Sequence, residues 1–153
     1  MYIWAFDISM SRTGISIFSN DGTIQDICSI ETKSSDNHQT RLKLIGKELL
    51  KLKKLYKPEK IIVESGFTRF NLSTQSIYKC HGVVNYLFYD VEQIYFAPMT
   101  IKKVVGGKGN MTKDEIKDVI VNKYPDIHFE NLDESDSFSV GLCYFIKNGI
   151  IKW

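Results

Sequence analysis

An α/β fold, a five-stranded mixed sheet flanked by helices, is predicted from three observations. The first 32 residues hold three short apolar segments separated by tight-turn signals, the pattern of an antiparallel meander. Helical and strand-like segments then alternate up to about residue 97, which calls for parallel strands with crossover helices. The remainder carries helical patterns only. At 153 residues, 43% hydrophobic and 25% charged, residues 1–153 are expected to form a single globular domain.

Each element has its own signal. Residues 2–8 (YIWAFDI) read as an apolar strand interrupted by Asp7. Ser11 to Gly14 read as a turn, Ile15 to Phe18 as a second strand, and Asn20-Asp21-Gly22 as a hairpin turn into a third strand over roughly 23–32. Ser34 to Asn37 offer capping groups for a helix. From Asn37 to Lys57 the single acid Glu48 stands against seven Lys and Arg, while Leu42, Ile45, Leu49, Leu52 and Tyr56 recur at helical steps. Pro58 is expected to stop this helix. Lys60 to Glu64 read as a strand buried on both faces.

A loop through Gly66, Phe67 and Arg69 precedes a second helix over roughly 72–89. A fifth strand over 93–97 ends at Pro98, and a short basic helix over 99–105 leads into Gly106-Gly-Lys-Gly-Asn. Thr112 is placed to cap a helix over 113–123. After an irregular stretch, Asp133–Lys147 reads as the last helix.

Composition narrows the function classes. A formal charge of +2 is too small to point to a nucleic-acid partner by itself, and 17 of the 20 cations are Lys, which, with 19 Ile, fits an AT-rich coding genome. Cys28, Cys80 and Cys143 form no C-x-x-C pair, which argues against a disulfide framework or zinc site and for a reducing cytosol. The start has no basic signal-peptide region, and no apolar run approaches the ~20 residues of a membrane span. A cytoplasmic protein without membrane contact is expected. GGKGN lacks the G-x-x-x-x-G-K-[ST] spacing, so no nucleotide cofactor is expected.

Four acids stand at the ends of apolar elements: Asp7, Glu64, Asp133 and Asp136. Carboxylates so spread in sequence can converge on hard divalent cations while leaving positions for water and phosphate oxygens. Each has a plainer reading. Asp7 could be a polar strand end, and Glu64 could close its strand and pair with a lysine. Asp133 and Asp136 are what capping and the helix dipole favour at an N-terminus. Glu134 and Asp114 are not assigned to the site. Lys102, Lys103, Lys108 and Lys113 surround the glycine-rich loop, where backbone amides can approach a phosphate, although a solvated basic face is the commoner origin of such a run.

FDISMSRTG at 6–14, IIVESGF at 61–67, IKKVVGGKGNMTKDEI at 101–116 and DESD at 133–136 together resemble RuvC-type Holliday-junction resolvases over nearly the whole chain. The resemblance implies a ribonuclease H-like fold and a structure-selective endonuclease that leaves 5′-phosphate and 3′-hydroxyl ends. It implies metal ligation by Asp7, Glu64, Asp133 and Asp136, with two Mg²⁺ per site and Mn²⁺ as a substitute. Lys102 and Lys113 become DNA-backbone contacts, and Lys113 also stabilises charge on the scissile phosphate. Phe67 becomes a stacking platform for unpaired bases, worth ~1–3 kcal/mol per base, with Arg69 in reach of phosphate. Lys103 and Lys108 extend the basic surface. The helix near 72–89 carries Ile77, Val84, Leu87 and Phe88, a stripe that is most often core, and the resemblance implies that this helix forms a homodimer matched to a two-fold junction.

The chain departs from the family's pattern where Ile8-Ser9 replaces Pro-Gly, and where Ser137 and Phe138 replace smaller residues. Low Arg content and compact length point to a bacteriophage-encoded branch. Two other classes share features of the chain. Sugar-kinase and actin-like ATPase domains begin with a similar strand but need a second domain. A branched-DNA-binding protein that no longer cuts would have little use for four clustered acids.

Overall fold

The computed structural model describes residues 1–65 and 72–153. Five strands form one sheet in the order β3-β2-β1-β4-β5. β1 (Tyr2–Asp7), β2 (Arg12–Ser19) and β3 (Ile24–Glu31) are the antiparallel meander, and β4 (Pro58–Glu64) and β5 (Glu92–Phe96) run parallel to β1. The two-residue period of a strand divides the core between the faces. Trp4, Phe6, Ile61 and Val63 pack beneath α1 (His38–Leu55) and α2 (Leu72–Leu87). Ile3, Ala5 and Ile62 face α3 (Pro98–Gly106), α4 (Lys113–Lys123) and α5 (Leu132–Lys147).

Helix α5 crosses this second face against β1 and β2 and is buried from Glu134 through Phe145. Two glycines set its approach. A Cβ on Gly14 would run into the backbone carbonyl of Asp133, and one on Gly141 into the ring of Phe18. Two of the four side chains that depart from the resembled pattern, Ser137 and Phe138, are absorbed into the core. Ser137 Oγ lies 2.8 Å from Ser16 Oγ, and Phe138 packs on Phe18, Tyr124 and Phe129.

Three expectations shift. The turn expected at Ser11–Gly14 lies earlier, because β2 already begins at Arg12 and Thr13 and Gly14 are strand residues. Ser9 closes that turn: its Oγ donates to the Arg12 carbonyl (2.7 Å) and its own carbonyl accepts from Thr13 Oγ1 (2.8 Å). Pro58, two residues past the Tyr56 C-cap of α1, does more than follow the helix's end at Leu55: it also opens β4, where a missing N–H is tolerated. Pro98 is the first residue of α3 rather than a break before it, since its fixed φ suits a helix start. The other elements end within two residues of the expected bounds. The loop through Gly66, Phe67 and Arg69 lies outside the described residues.

Candidate metal centre

The sheet brings two acids together first. Asp7 ends β1 and Glu64 ends the adjacent parallel strand β4, whose register pairs Phe6 with Val63. Asp7 also faces Gly14 across β2, and Gly14 is the bare spot that admits the Asp133 backbone. Asn131 caps α5 by accepting from Glu134 N–H at 3.0 Å, which sets Asp133 in the first turn and Asp136 one turn on. Carboxylate oxygens of Asp7, Asp133 and Asp136 thereby lie within 4.8 Å of one another. Glu64 is outside that trio but close enough to feel the charge of Asp136.

Burial, with the other acids adding to it, pushes the Asp7 carboxyl up to about 7 even though Lys113 works in the opposite direction. Burial also raises Glu64 and Asp136, with Asp136 adding to the first and Asp133 to the second. Such a cluster is short of positive charge. Lys113 supplies part of it, touching the Asp136 carboxylate with its ammonium 3.9 Å from Asp7 Oδ2. Burial opposes the lysine's charge, but Asp136, Asp7 and Asp133 outweigh it and raise its pKa. A reciprocal capping box holds Lys113 at the first position of α4: Thr112 Oγ1 accepts from Glu115 N–H, and Thr112 N–H donates to Glu115 Oε2 at 2.7 Å.

A family model described as "Crossover junction endodeoxyribonuclease RuvC" matches residues 3–144. The chain belongs to the RuvC family. A Rickettsia bellii (strain OSU 85-389) RuvC is 33% identical over 124 residues, covering 78% of this chain and 79% of its own. A RuvC from Synechococcus sp. (strain CC9605) is 27% identical over 163 residues, covering 96% and 99%. The Thermus thermophilus RuvC structure superposes with a TM-score of 0.81 at 18% identity, covering 99% of both chains. T. thermophilus RuvC in complex with Holliday junction substrate gives 0.84 at 17%, covering 97% of this chain and 94% of that one. These structures share the ribonuclease H-like α/β fold.

On this RuvC scaffold the donor set fits divalent cations of the hard, oxygen-seeking kind. It offers carboxylates only, drawn from β1, β4 and α5, and burial together with the neighbouring acids keeps the Asp7 carboxyl raised despite the one ammonium beside it. Lys102, on α3, is near enough for its charge to act on Glu64 and Asp136. Lys103 and Lys108 are exposed and pair with no carboxylate among the described residues. Phe67 and Arg69 lie outside the described residues.

The structure adds one residue that sequence reasoning passed over. Arg12 reaches Asp133 Oδ2 at 3.5 Å and Glu31 Oε1 at 3.0 Å, fastening the outermost carboxylate of the trio to the edge of β3. Its signal was its place in FDISMSRTG, a cation five residues from Asp7 on the far side of a tight turn. Glu134, left out of the site, is a structural acid: Ser29 Oγ, Glu130 N–H and Asn131 Nδ2 all donate to it.

Proposed function

We propose that this chain is a metal-dependent, structure-selective endodeoxyribonuclease that hydrolyses phosphodiester bonds at Holliday junctions and related branched DNA. The observation that carries the reading is the convergence of Asp7, Asp133 and Asp136 within 4.8 Å beside Glu64 and Lys113, in a RuvC-family chain. Asp7, Glu64, Asp133 and Asp136 would hold two Mg²⁺ ions, with Mn²⁺ able to replace them. Bound there, such ions lower the pKa of an attacking water and offset charge on the phosphate and leaving oxygen.

The protein's own groups do the rest. The two strand ends and α5 hold the carboxylates rigidly, and Lys113 can move from Asp136 onto a phosphate oxygen without leaving the site. Lys102, Lys103 and Lys108 hold the DNA backbone, which positions the duplex without reading its sequence. Phe67 and Arg69 would meet unpaired bases and phosphate at the branch centre. The whole of 1–153 acts as one nuclease domain, paired with a second copy through the helix near 72–89, so that each protomer nicks one strand and leaves 5′-phosphate and 3′-hydroxyl ends. Exposed Tyr78 and Tyr86 on α2 and Tyr89 just beyond it support that surface. Recombination, repair or debranching of phage DNA in a bacterial cytoplasm is the setting that suits the activity. No helix among the described residues is long and apolar enough to cross a membrane.

The test is cleavage of a labelled four-way junction in Mg²⁺, beside a linear duplex and a Glu64→Gln variant. Symmetric, metal-dependent nicking of the junction alone, lost in Glu64→Gln, is expected. Tight junction binding with no cutting in Mg²⁺ or Mn²⁺ would leave a binding protein on a nuclease fold.

A further inference from the structure

Asp133 lines more than the metal centre. On its other side an open cleft of about 820 Å³ runs between the β1–β2 turn and the segment that joins β3 to α1. Cations and hydroxyls dominate its lining: Arg12, Lys33 and Arg41, with Ser9, Ser11 and Ser34. The acids in it are Glu31 and Asp133, and Arg12 pairs with both. Lys33 and Arg41 are left with no carboxylate partner among the described residues.

Arg41 is the unusual one. It lies in the first turn of α1 and is only 9% exposed. Its Nε donates to Thr32 Oγ1 at 2.7 Å and its Nη2 to the Met10 carbonyl at 3.1 Å. Those bonds use two of the five N–H donors of a guanidinium. A buried charge that meets only neutral acceptors is costly, and an anion in reach would offset that cost. The same two bonds hold the cleft's walls together, because Thr32 Oγ1 also donates to the Met10 carbonyl at 2.6 Å and Thr32 N–H to the Ser11 carbonyl at 2.9 Å. The site is therefore built before any ligand arrives.

We infer that this cleft is a phosphate subsite: it takes a backbone phosphodiester of the cleaved strand next to the scissile one, held by Arg41, Lys33 and the hydroxyls of Ser11 and Ser34. The inference rests on the nuclease reading above. Since Asp133 borders both the carboxylate cluster and the cleft, a strand whose scissile phosphate sits at the cluster has a neighbouring phosphate at the cleft mouth. Charge-assisted hydrogen bonds from a guanidinium suit that group. The subsite fixes the register of the strand, and so which bond meets the carboxylates.

The test is binding of a four-way junction in which single phosphates around the cut are replaced by neutral methylphosphonates. It uses the Glu64→Gln protein, so that strands stay intact. One position flanking the cleaved bond is expected to weaken binding about tenfold, the scale of one charge-assisted contact. Adding Arg41→Gln or Lys33→Ala should weaken binding of the unmodified junction and abolish the sensitivity at that position while leaving the others. Each should also flatten the salt dependence of binding by about one counterion. Arg41→Gln could unfold the turn, whereas exposed Lys33→Ala should not, and its result decides alone. Junction preference with an unchanged methylphosphonate profile in Lys33→Ala overturns the subsite and leaves the nuclease reading standing. Loss of junction preference in the parent overturns both. Competition by inorganic phosphate beyond that of chloride at equal ionic strength, with the profile unchanged, would assign the cleft to a free anion and likewise overturn the proposal.

Discussion

Glu134 and Asp136 sit two residues apart on the same helix, both buried, at 3% and 8% exposure, and they are solvated in opposite ways. Glu134 accepts from Ser29 Oγ at 3.1 Å, Glu130 N–H at 2.8 Å and Asn131 Nδ2 at 3.2 Å, all neutral donors fixed in place before the charge is considered. Among the described residues the Asp136 carboxylate has one hydrogen-bond partner, the Lys113 ammonium, and burial raises its pKa. A carboxylate meant to hold a fold together is surrounded by dipoles. One meant to bind a cation is left short of donors, and its deficit is the binding energy that the cation recovers.

The widest separation between the two should appear in activity. Asp136→Asn is expected to lower junction cleavage by at least about 10²-fold, more than the loss of a group that merely orients a ligand. Its Tm in metal-free buffer should hold or rise, because a repelled charge has gone. Glu134→Ala should do the reverse. It strands three part-buried donors, Ser29 Oγ, Asn131 Nδ2 and the N–H of Glu130 just ahead of α5, at about 1–3 kcal/mol for the group, which lowers Tm by several degrees. Cleavage below the new Tm should stay within about tenfold of the parent. Thermal melts beside single-turnover cleavage would check both, and parallel losses in the two variants would break the distinction.

The sequence announced Asp136 more clearly than Glu134 for a physical reason. A metal ligand must sit at a fixed spacing from its fellows, so DESD, IIVES and FDIS could be matched as motifs. The neutral donors that make Glu134 structural come from Ser29 on β3 and from the backbone of Glu130, and no spacing predicts that meeting. Arg12 and Arg41 were hidden in the same way. Their importance comes from what the end of β3 brings beside them, Glu31 on the strand in one case and Thr32 just past it in the other. The strands and helices themselves were legible because apolar periodicity is local, and errors arose where a side chain closes a turn, as Ser9 does.

Asp7 extends the comparison to pH. Its carboxyl is pushed up to about 7 in the folded protein against 3.8 for the ordinary group, with burial the main cause. Between those values the folded state keeps a proton that the unfolded chain has released. Stability of the metal-free protein therefore falls as pH rises through that window, and levels off above about 7. Asp7→Asn has no proton to lose. Relative to the parent it should gain about 4 kcal/mol, or about 8–16 °C in Tm, at pH 8, with the gain vanishing near pH 4. Mg²⁺ should narrow the gap by stabilising only the parent, since a cation favours the charged form. A gain that is equal at both pH values would show that burial does not set the charge of Asp7.

Ser29 offers the finest division. Its hydroxyl donates to Glu134 Oε1 and accepts from Asn131 Nδ2 at 3.0 Å, so it is a strut inside the structural network. Ser29→Ala removes one of the neutral donors and leaves Glu130 N–H and Asn131 Nδ2 in place. A loss of about 1 kcal/mol follows, about 2–4 °C in Tm. Divalent-cation affinity, read by titration calorimetry, should not move. If it falls, the donors of Glu134 also set the placement of Asp133, and the two acids on this helix turn belong to one network rather than two.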